Sequence, residues 1–401
     1  MNEWKKVKLG DCISTKKGFA FKSALYTNCG VPVVRVSDFT LDSVADNDLV
    51  YYPHAEKDRY DEYVLNEGDV LIQTVGSWQY NPNSVVGKVV RVPYYHKGSL
   101  LNQNIVKIIP NNGYNNAFIF YRLKCRDFAG HVLGEARGAA NQASITLDTI
   151  KRFSFDCPLL STQQRIATIL SRYDSLIENY RKQIKLLEEA AQRLYKEWFI
   201  DLRFPGHENT KIVDGVPEGW EKKKLHEIAE VVMGSSPKSE FYNNDKQGLP
   251  FHQGVGSYGT RFVDDNVYST SITRLAEPNS ILFSVRAPVG RLNITKNKII
   301  IGRGLAAMNH KDGFQSFLFY MLKERFFMDN IIGNGSIFAS ISKVELLDQE
   351  FIVPPMKTIK AFESLVSKLD KKIQGVDTQL RLLTEARDRL LPKLMSGEIT
   401  V

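Results

Sequence analysis

The strongest constraint in this 401-residue chain is that a long, regularly patterned segment is written twice. Ser161–Trp198 and Lys357–Leu394 align at a constant offset of 196. Asp174 falls on Asp370, Ile177 on Ile373, Leu187 on Leu383, Glu189 on Glu385, Arg193 on Arg389 and Leu194 on Leu390. The register holds upstream, where Ala143-Ser144-Ile145 matches Ala339-Ser340-Ile341 and Pro158 matches Pro354. Near the start, Trp4 to Leu9 echoes Trp220 to Leu225 at a larger offset, so the first copy carries an insertion. Such a repeat implies a duplicated, two-fold architecture.

Each repeated segment carries a heptad seam. In the first it runs through Ile166, Leu170, Tyr173, Ile177, Tyr180, Ile184, Leu187, Ala191, Leu194 and Trp198. In the second it runs through Phe362, Val366, Leu369, Ile373, Val376, Leu380, Leu383, Leu390 and Leu394, with Arg387 the one polar intruder. Apolar residues repeating every 3.5 positions predict a coiled coil; a helix packed on one domain shows a broader apolar face. At ~1.5 Å per residue such a segment is a rod of about 57 Å. Pro158 and Pro354 stand just before the helices, and Pro205-Gly206 follows the first.

The intervening segments read differently. Val31–Val36, Asp69–Gln73, Val85–Val92 and Ser280–Val285 are short β-branched and aromatic runs bounded by Gly, Asn, Pro and Asp. Amphipathic helices are predicted near Ala117–Phe128 and Gln315–Phe327. The expected fold is α+β: mixed α/β domains at residues 1–157 and 217–355, joined by two long helices in an antiparallel coiled coil with a pseudo-two-fold internal repeat. The helices are placed at 158–200 and, with a C-terminal tail, at 356–401. A polar, turn-rich linker occupies 201–216. The antiparallel sense follows from connectivity, because a compact second domain must return the chain where the first helix ended.

Composition narrows the function. Hydrophobic residues make up 43% and charged residues 24%, ordinary for a globular protein and unlike a disordered chain. No apolar run approaches the ~20 residues that span a bilayer, and no secretory signal opens the chain, so a cytoplasmic location is expected. Cys12, Cys29, Cys125 and Cys157 are far apart and suggest neither a disulfide framework nor zinc. Gly254-Val-Gly256-Ser-Tyr-Gly259 fits a dinucleotide fingerprint formally, but Thr-Arg-Phe-Val follows it instead of a helix. No catalytic or metal-binding constellation stands out among the carboxylates and seven histidines. The chain reads as a binder, and its formal charge of +8 suits a polyanion.

Residues that could read DNA cluster in both halves. In the first they are Lys17, Thr74, Ser77, Trp78, Gln79, Tyr80, Asn81, Asn102, Gln103, Asn104, Arg137, Asn141 and Gln142. In the second they are Lys238, Gln253, Arg261, Ser284, Arg286 and Arg303, several of them beside glycines. Amide side chains pair bidentately with adenine and Arg with guanine, while Lys and hydroxyls position phosphates.

Several local sequences sharpen this. They include Leu160-Ser-Thr-Gln-Gln-Arg-Ile166, Tyr195-Lys-Glu-Trp-Phe-Ile-Asp-Leu-Arg-Phe-Pro-Gly206 and Gly215-Val-Pro-Glu-Gly-Trp-Glu221. Gly68-Asp-Val-Leu-Ile72, Ser284-Val-Arg-Ala-Pro-Val-Gly290, Ile301-Gly-Arg-Gly304 and Lys393-Leu-Met-Ser-Gly-Glu-Ile399 belong with them. With the duplicated helix, these make the chain resemble the DNA-specificity subunit of type I restriction–modification systems over its whole length. The resemblance implies two target-recognition domains, each reading one half of a bipartite double-stranded DNA site. It also implies helices that serve as spacer and as docking surface for two methyltransferase subunits, with restriction motor–nuclease subunits joining for cleavage. S-adenosylmethionine, ATP and magnesium are then expected on those partners and none on this chain, which would be non-catalytic. One departure is the second helix entry, Pro355-Met-Lys-Thr-Ile-Lys360, which lacks the family's Glu/Gln-Gln pair. The competing reading is a coiled-coil DNA-binding regulator or scaffold outside restriction–modification.

Overall fold

The computed structural model of the chain describes residues 4–78, 84–139, 142–326 and 340–401. The chain forms two compact units, residues 1–179 with 379–401 and residues 180–378. Each unit extends past its recognition segment to take in part of both long helices.

The centre of the first unit is an antiparallel sheet in the order Ile13–Lys17, Ile105–Pro110, Val70–Gln73, Val89–Arg91. Both faces are covered. Val70, Ile72, Val89, Val106 and Ile108 pack into a core with Phe118, Phe128 and Ile166, while Leu71, Val90 and Ile105 point into a second core with Val34, Leu65 and Leu101. Alternate side chains of a strand go to opposite faces, so the apolar run Val70-Leu-Ile72 supplies both cores. A second sheet pairs Val31–Val34 antiparallel with Val50–Tyr52 and parallel with Leu100–Leu101.

The expected Val85–Val92 strand is shorter, Val89–Arg91, because Gly87 takes a left-handed turn (φ 81°) before it. The helix expected near Ala117–Phe128 is two helices, Asn116–Leu123 and Arg126–Glu135. Cys125, extended at φ −73°, ψ 151°, breaks them apart. Asn115 caps the first by accepting from Phe118 N at 3.0 Å.

The second unit repeats the order with Ala229–Met233, Leu305–His310, Ile281–Ser284 and Leu292–Ile294. Ile281, Phe283, Ala306 and Met308 face one core and Leu282, Leu305 and Ala307 the other. Leu249–His252 runs parallel to Ile299–Ile301, as Val31–Val34 does to Leu100–Leu101. The helix Gln315–Phe326 covers the same face as Asn116–Leu123, and the expected final residue, Phe327, lies outside the described residues. The segment expected as a linker contains a short hairpin, Ile212–Val213 with Val216–Pro217.

The repeated segments are helices of 40 residues each, Leu160–Phe199 and Met356–Met395. Along the seam, Ile166, Leu170, Ile177, Ile184, Phe362, Val366, Ile373 and Val376 are buried. Tyr173, Tyr180, Leu187, Leu194, Leu369, Leu380, Leu383 and Leu390 are half-buried. In the first unit the start of the first helix packs with the end of the second, Ile166 and Leu170 sharing a core with Leu394. In the second unit the ends exchange roles: Tyr195 and Trp198 pack edge-on against Phe362, with ring centroids 5.8 and 5.9 Å away.

Arg387, which breaks the apolar seam, has a structural task. Its guanidinium donates to Asp174 at 2.9 Å and Asp42 at 3.2 Å, and Asp174 also accepts from the Tyr121 hydroxyl at 2.5 Å. Burial opposes the charge on Asp42, but Lys124 and Arg387 outweigh it and hold the carboxyl below its ordinary value. Replacing Arg387 by Ala leaves two largely buried carboxylates short of a partner and should cost about 3 kcal/mol in urea unfolding at neutral pH. The sign of the acid response follows from the depressed carboxyl. Its stabilising contribution is complete above the unfolded value of about 4 and is lost as pH falls through the folded one. The stability gap between the native chain and Asp42→Asn should therefore close in acid.

Candidate nucleic-acid interface

At one edge of the first unit a small sheet runs Arg137–Ala139, Gln142–Ser144, Val75–Gly76. It is tied to the turn Asn102-Gln103-Asn104 through Thr74, whose N–H donates to Asn104 O at 2.8 Å and whose carbonyl accepts from Ile145 N at 2.9 Å. Lys17 ends its strand opposite Val106, and the next residue, Gly18, donates to Ile105 O at 2.9 Å. The fold thus gathers Lys17, Thr74, Ser77, Trp78, Asn102, Gln103, Asn104, Arg137 and Gln142 at one edge. Gln79, Tyr80, Asn81 and Asn141 lie outside the described residues.

The gathered side chains do not share one role. Lys17, Gln103, Asn104, Arg137 and Gln142 are exposed, whereas Thr74, Ser77 and Asn102 are buried. Ser77 Oγ meets Ser84 Oγ at 2.9 Å, and Asn102 Oδ1 accepts from Gln103 N at 2.8 Å. These three shape the edge from beneath. Gln73, fully buried, donates to the carbonyls of Val75 and Ser84 at 2.9 Å each and pins the strand exit.

The second unit builds the same edge from different residues. Val285 N donates to Gly304 O at 2.9 Å, Ile341 N donates to Val285 O at 2.9 Å, and Gly234 N donates to Leu305 O at 2.9 Å. Arg286 bridges to Ser340 as Val75 pairs with Ser144. Gln253 O accepts from Gly304 N at 3.1 Å, and Ser236 Oγ accepts from Arg303 N at 3.1 Å. Lys238 follows two residues later, 3.9 Å from Glu240. Lys238, Gln253, Arg286 and Arg303 are exposed.

In the second unit two expected readers are not at the surface either. Arg261 is 3% exposed; it donates to Asp370 at 2.7 Å, approaches Glu188 at 3.6 Å, and stacks 3.6 Å from the Phe319 ring centroid. A guanidinium held this way by carboxylates and an aromatic face joins the domain to the helices and cannot reach a base. Ser284 is also buried: its hydroxyl donates to Pro288 O at 2.6 Å and accepts from Arg291 N at 2.8 Å, closing the turn after its strand.

Sequence reasoning passed over two features. Gly18 and Gly234 let the strand backbone approach the turn, since a Cβ would lie 1.8 Å from Asn102 O and 2.1 Å from Gly302 O. The second is His252, buried between Ser257 Oγ at 2.7 Å and Asp265 at 2.9 Å. Burial raises the Asp265 carboxyl, but bonds from His252 and Asn297 bring it below its ordinary value. The glycine-rich segment is thereby a pinned loop, with a single tight turn at Val255–Ser257. A glycine directly after the strand was the available signal for the first; nothing local marked the second.

The helix entries differ as well. Gln163 is buried, donates to Pro158 O at 2.9 Å and accepts from Asn115 N at 2.9 Å, while Gln164 is exposed. In the second helix Glu363 does comparable work, accepting from Ser316 N and Phe317 N at 3.2 and 2.9 Å at the start of Gln315–Phe326.

The sequence pattern of the family described as the type I restriction modification DNA specificity domain matches residues 1–189 and 217–382, one match in each half. The chain belongs to this type I DNA-specificity family. The MjaIX specificity subunit of Methanocaldococcus jannaschii, a type I restriction enzyme component, is 30% identical over 75% of this chain and 73% of its own length. The HindI specificity subunit of Haemophilus influenzae is 22% identical over the full length of both. In fold, the chain resembles the crystal structure of a type I restriction–modification S subunit from M. genitalium. The TM-score is 0.59 at 16% identity, covering 98% of this chain and 96% of that one.

The two arginines should separate in experiment. Arg261→Ala removes a buried ion pair and should lower stability by about 3 kcal/mol, read by chemical unfolding. Arg286→Ala, at an exposed position, should leave the unfolding curve in place and weaken DNA binding by ~1–3 kcal/mol if it makes a bidentate guanine contact.

Proposed function

We propose that the chain is the sequence-reading subunit of a type I restriction–modification complex, with each unit reading one half of a bipartite double-stranded DNA target. The observation that carries this is the recurrence, in both units of a family member, of one hydrogen-bonded edge lined by exposed Arg, Lys and Gln side chains. Bases are read by such groups and phosphates by the lysines among them.

In this reading the two long helices form a continuous antiparallel coiled coil related by a pseudo-two-fold axis. They separate the reading edges and present a docking surface for two methyltransferase subunits. The regular heptads and their buried positions support it. The methyl donor S-adenosylmethionine belongs to those partners, as ATP and magnesium belong to the motor–nuclease subunits. This chain supplies recognition and no bond-making group, and it works in the cytoplasm. Neither half of the chain would act as an enzyme.

The purified chain should transfer no methyl group from S-adenosylmethionine to DNA; with the methyltransferase subunits added, adenine methylation should appear at one bipartite sequence. Methyl transfer by the chain alone would overturn this reading. The ruler role has its own test: seven residues inserted after Glu178 and after Gln374 keep the heptad phase. They lengthen each helix by ~10 Å, about three base pairs. Methylated half-sites should move apart accordingly, and an assembled, active variant that keeps the original spacing refutes the helices as the ruler.

A further inference from the structure

The reading edge of each unit contains a three-residue turn, Asn102-Gln103-Asn104 or Gly302-Arg303-Gly304, and the two turns are held by matching hydrogen bonds. The first residue donates to a carbonyl of the neighbouring parallel strand, Asn102 N to Val34 O at 3.2 Å and Gly302 N to His252 O at 2.8 Å. The third accepts from the strand exit, Asn104 O from Thr74 N at 2.8 Å and Gly304 O from Val285 N at 2.9 Å. Gly18 and Gly234 press against the turns so closely that neither leaves room for a Cβ. The backbone of each turn is fixed from three sides.

Such a turn can offer few side chains. At its first position Asn102 spends its amide oxygen on the turn itself, and Gly302 has no side chain. At its third position Asn104 is held in the left-handed region (φ 65°), and a Cβ at Gly304 would lie 2.4 Å from Gln253 O. The position at which both units project a long side chain is the middle one. Gln103 and Arg303 are both exposed, and neither side chain makes a hydrogen bond or ion pair among the described residues. Basic groups flank them on the same edges: Lys17 and Arg137 in the first unit, Arg286 in the second.

We propose that Gln103 and Arg303 are matched base-reading residues of the two half-sites, Gln103 for an adenine and Arg303 for a guanine. This rests on the function proposed above and assigns part of its specificity to one position. A Gln amide both donates to and accepts from the adenine edge, and a guanidinium donates two hydrogen bonds to guanine O6 and N7. A rigid backbone holds each side chain in register, while Lys17 at the edge of the first unit can take a phosphate and fix the orientation.

The test is selection from a randomised duplex DNA library by the full chain assembled with its methyltransferase subunits, at one fixed salt concentration, followed by sequencing. Gln103→Arg should change one base of one half-site from adenine to guanine and leave the other half-site as it was. Arg303→Gln should make the reverse change in the other half-site. Each Ala variant should lose discrimination at that same base and bind the native target about ten-fold or more weakly. A swap that leaves base preference intact, or that weakens all sequences equally, overturns the assignment for that residue. If Gln103→Arg or Arg303→Gln fails to fold in a thermal melt, the corresponding Ala variant decides by the same criterion. A native chain that enriches no bipartite sequence defeats the broader function, and with it this assignment; a native chain that does so while the variants match it defeats the assignment alone.

Discussion

In each unit a helix aspartate, a tyrosine hydroxyl and a guanidinium meet where the recognition domain joins the long helices. Asp174 takes Tyr121 and Arg387 in the first, and Asp370 takes Tyr320 at 3.1 Å and Arg261 at 2.7 Å in the second. Asp174 and Asp370 are repeat equivalents, so the site is inherited while the arginine is not. In the first unit the guanidinium comes from the second helix; in the second it comes from a loop of the recognition domain. Such a site is costly to half-dismantle, because each carboxylate has been taken out of water and depends on its partner. It makes the bearing of the domain on the helices a matter of directed hydrogen bonds as well as apolar contact.

The loops that reach this site also correspond. Phe39 bridges to Val44 and Tyr258 to Val263, so Asp42 and Arg261 each stand three residues after the bridge. One carries a negative charge and the other a positive one, and the helices answer with Arg387 in the first unit and Asp370 with Glu188 in the second. The charge has been exchanged across the contact while the contact survives. The exchange keeps each domain suited to its own stretch of helix.

The duplicated helices were legible because their signal is long: nine or ten heptad positions in each fix a period that no short-range effect can imitate, and the first helix runs over Leu160–Phe199 against the expected 158–200. The turns at the strand ends were legible too, since Gly, Asn and Arg clusters mark them. What the sequence could not separate was the role of like residues within those clusters. Arg261 and Arg303 both sit near glycines. Only the fold reveals that one lies under Phe319 and the other stands on an open turn. Ser284 and Thr74 look like phosphate contacts in the sequence, yet Ser284 ends, and Thr74 follows, a strand whose every residue is buried. Arg387 was visible as a break in the seam, but its partners Asp174 and Asp42 are 213 and 345 residues away and invisible to any local pattern.

Specificity needs a side chain whose donors are unspent and whose backbone cannot drift. The two conditions pull against each other, because the contacts that immobilise a polar side chain also consume its hydrogen bonds. These edges separate the tasks. Buried groups spend their hydrogen bonds inward, Gln73 and Asn102 on the backbone and Ser77 on the Ser84 hydroxyl, and the glycines admit close approach. The outward residues are then held by their main chain alone. The same division explains why the proposed reading positions can differ between units, Gln103 against Arg303, while the main-chain hydrogen bonds that tie each turn to its strand exit and parallel strand recur in both. A surface side chain unsupported by its neighbours can be exchanged without disturbing the fold. A repeat organised in this way can vary what each half recognises while both halves keep one architecture.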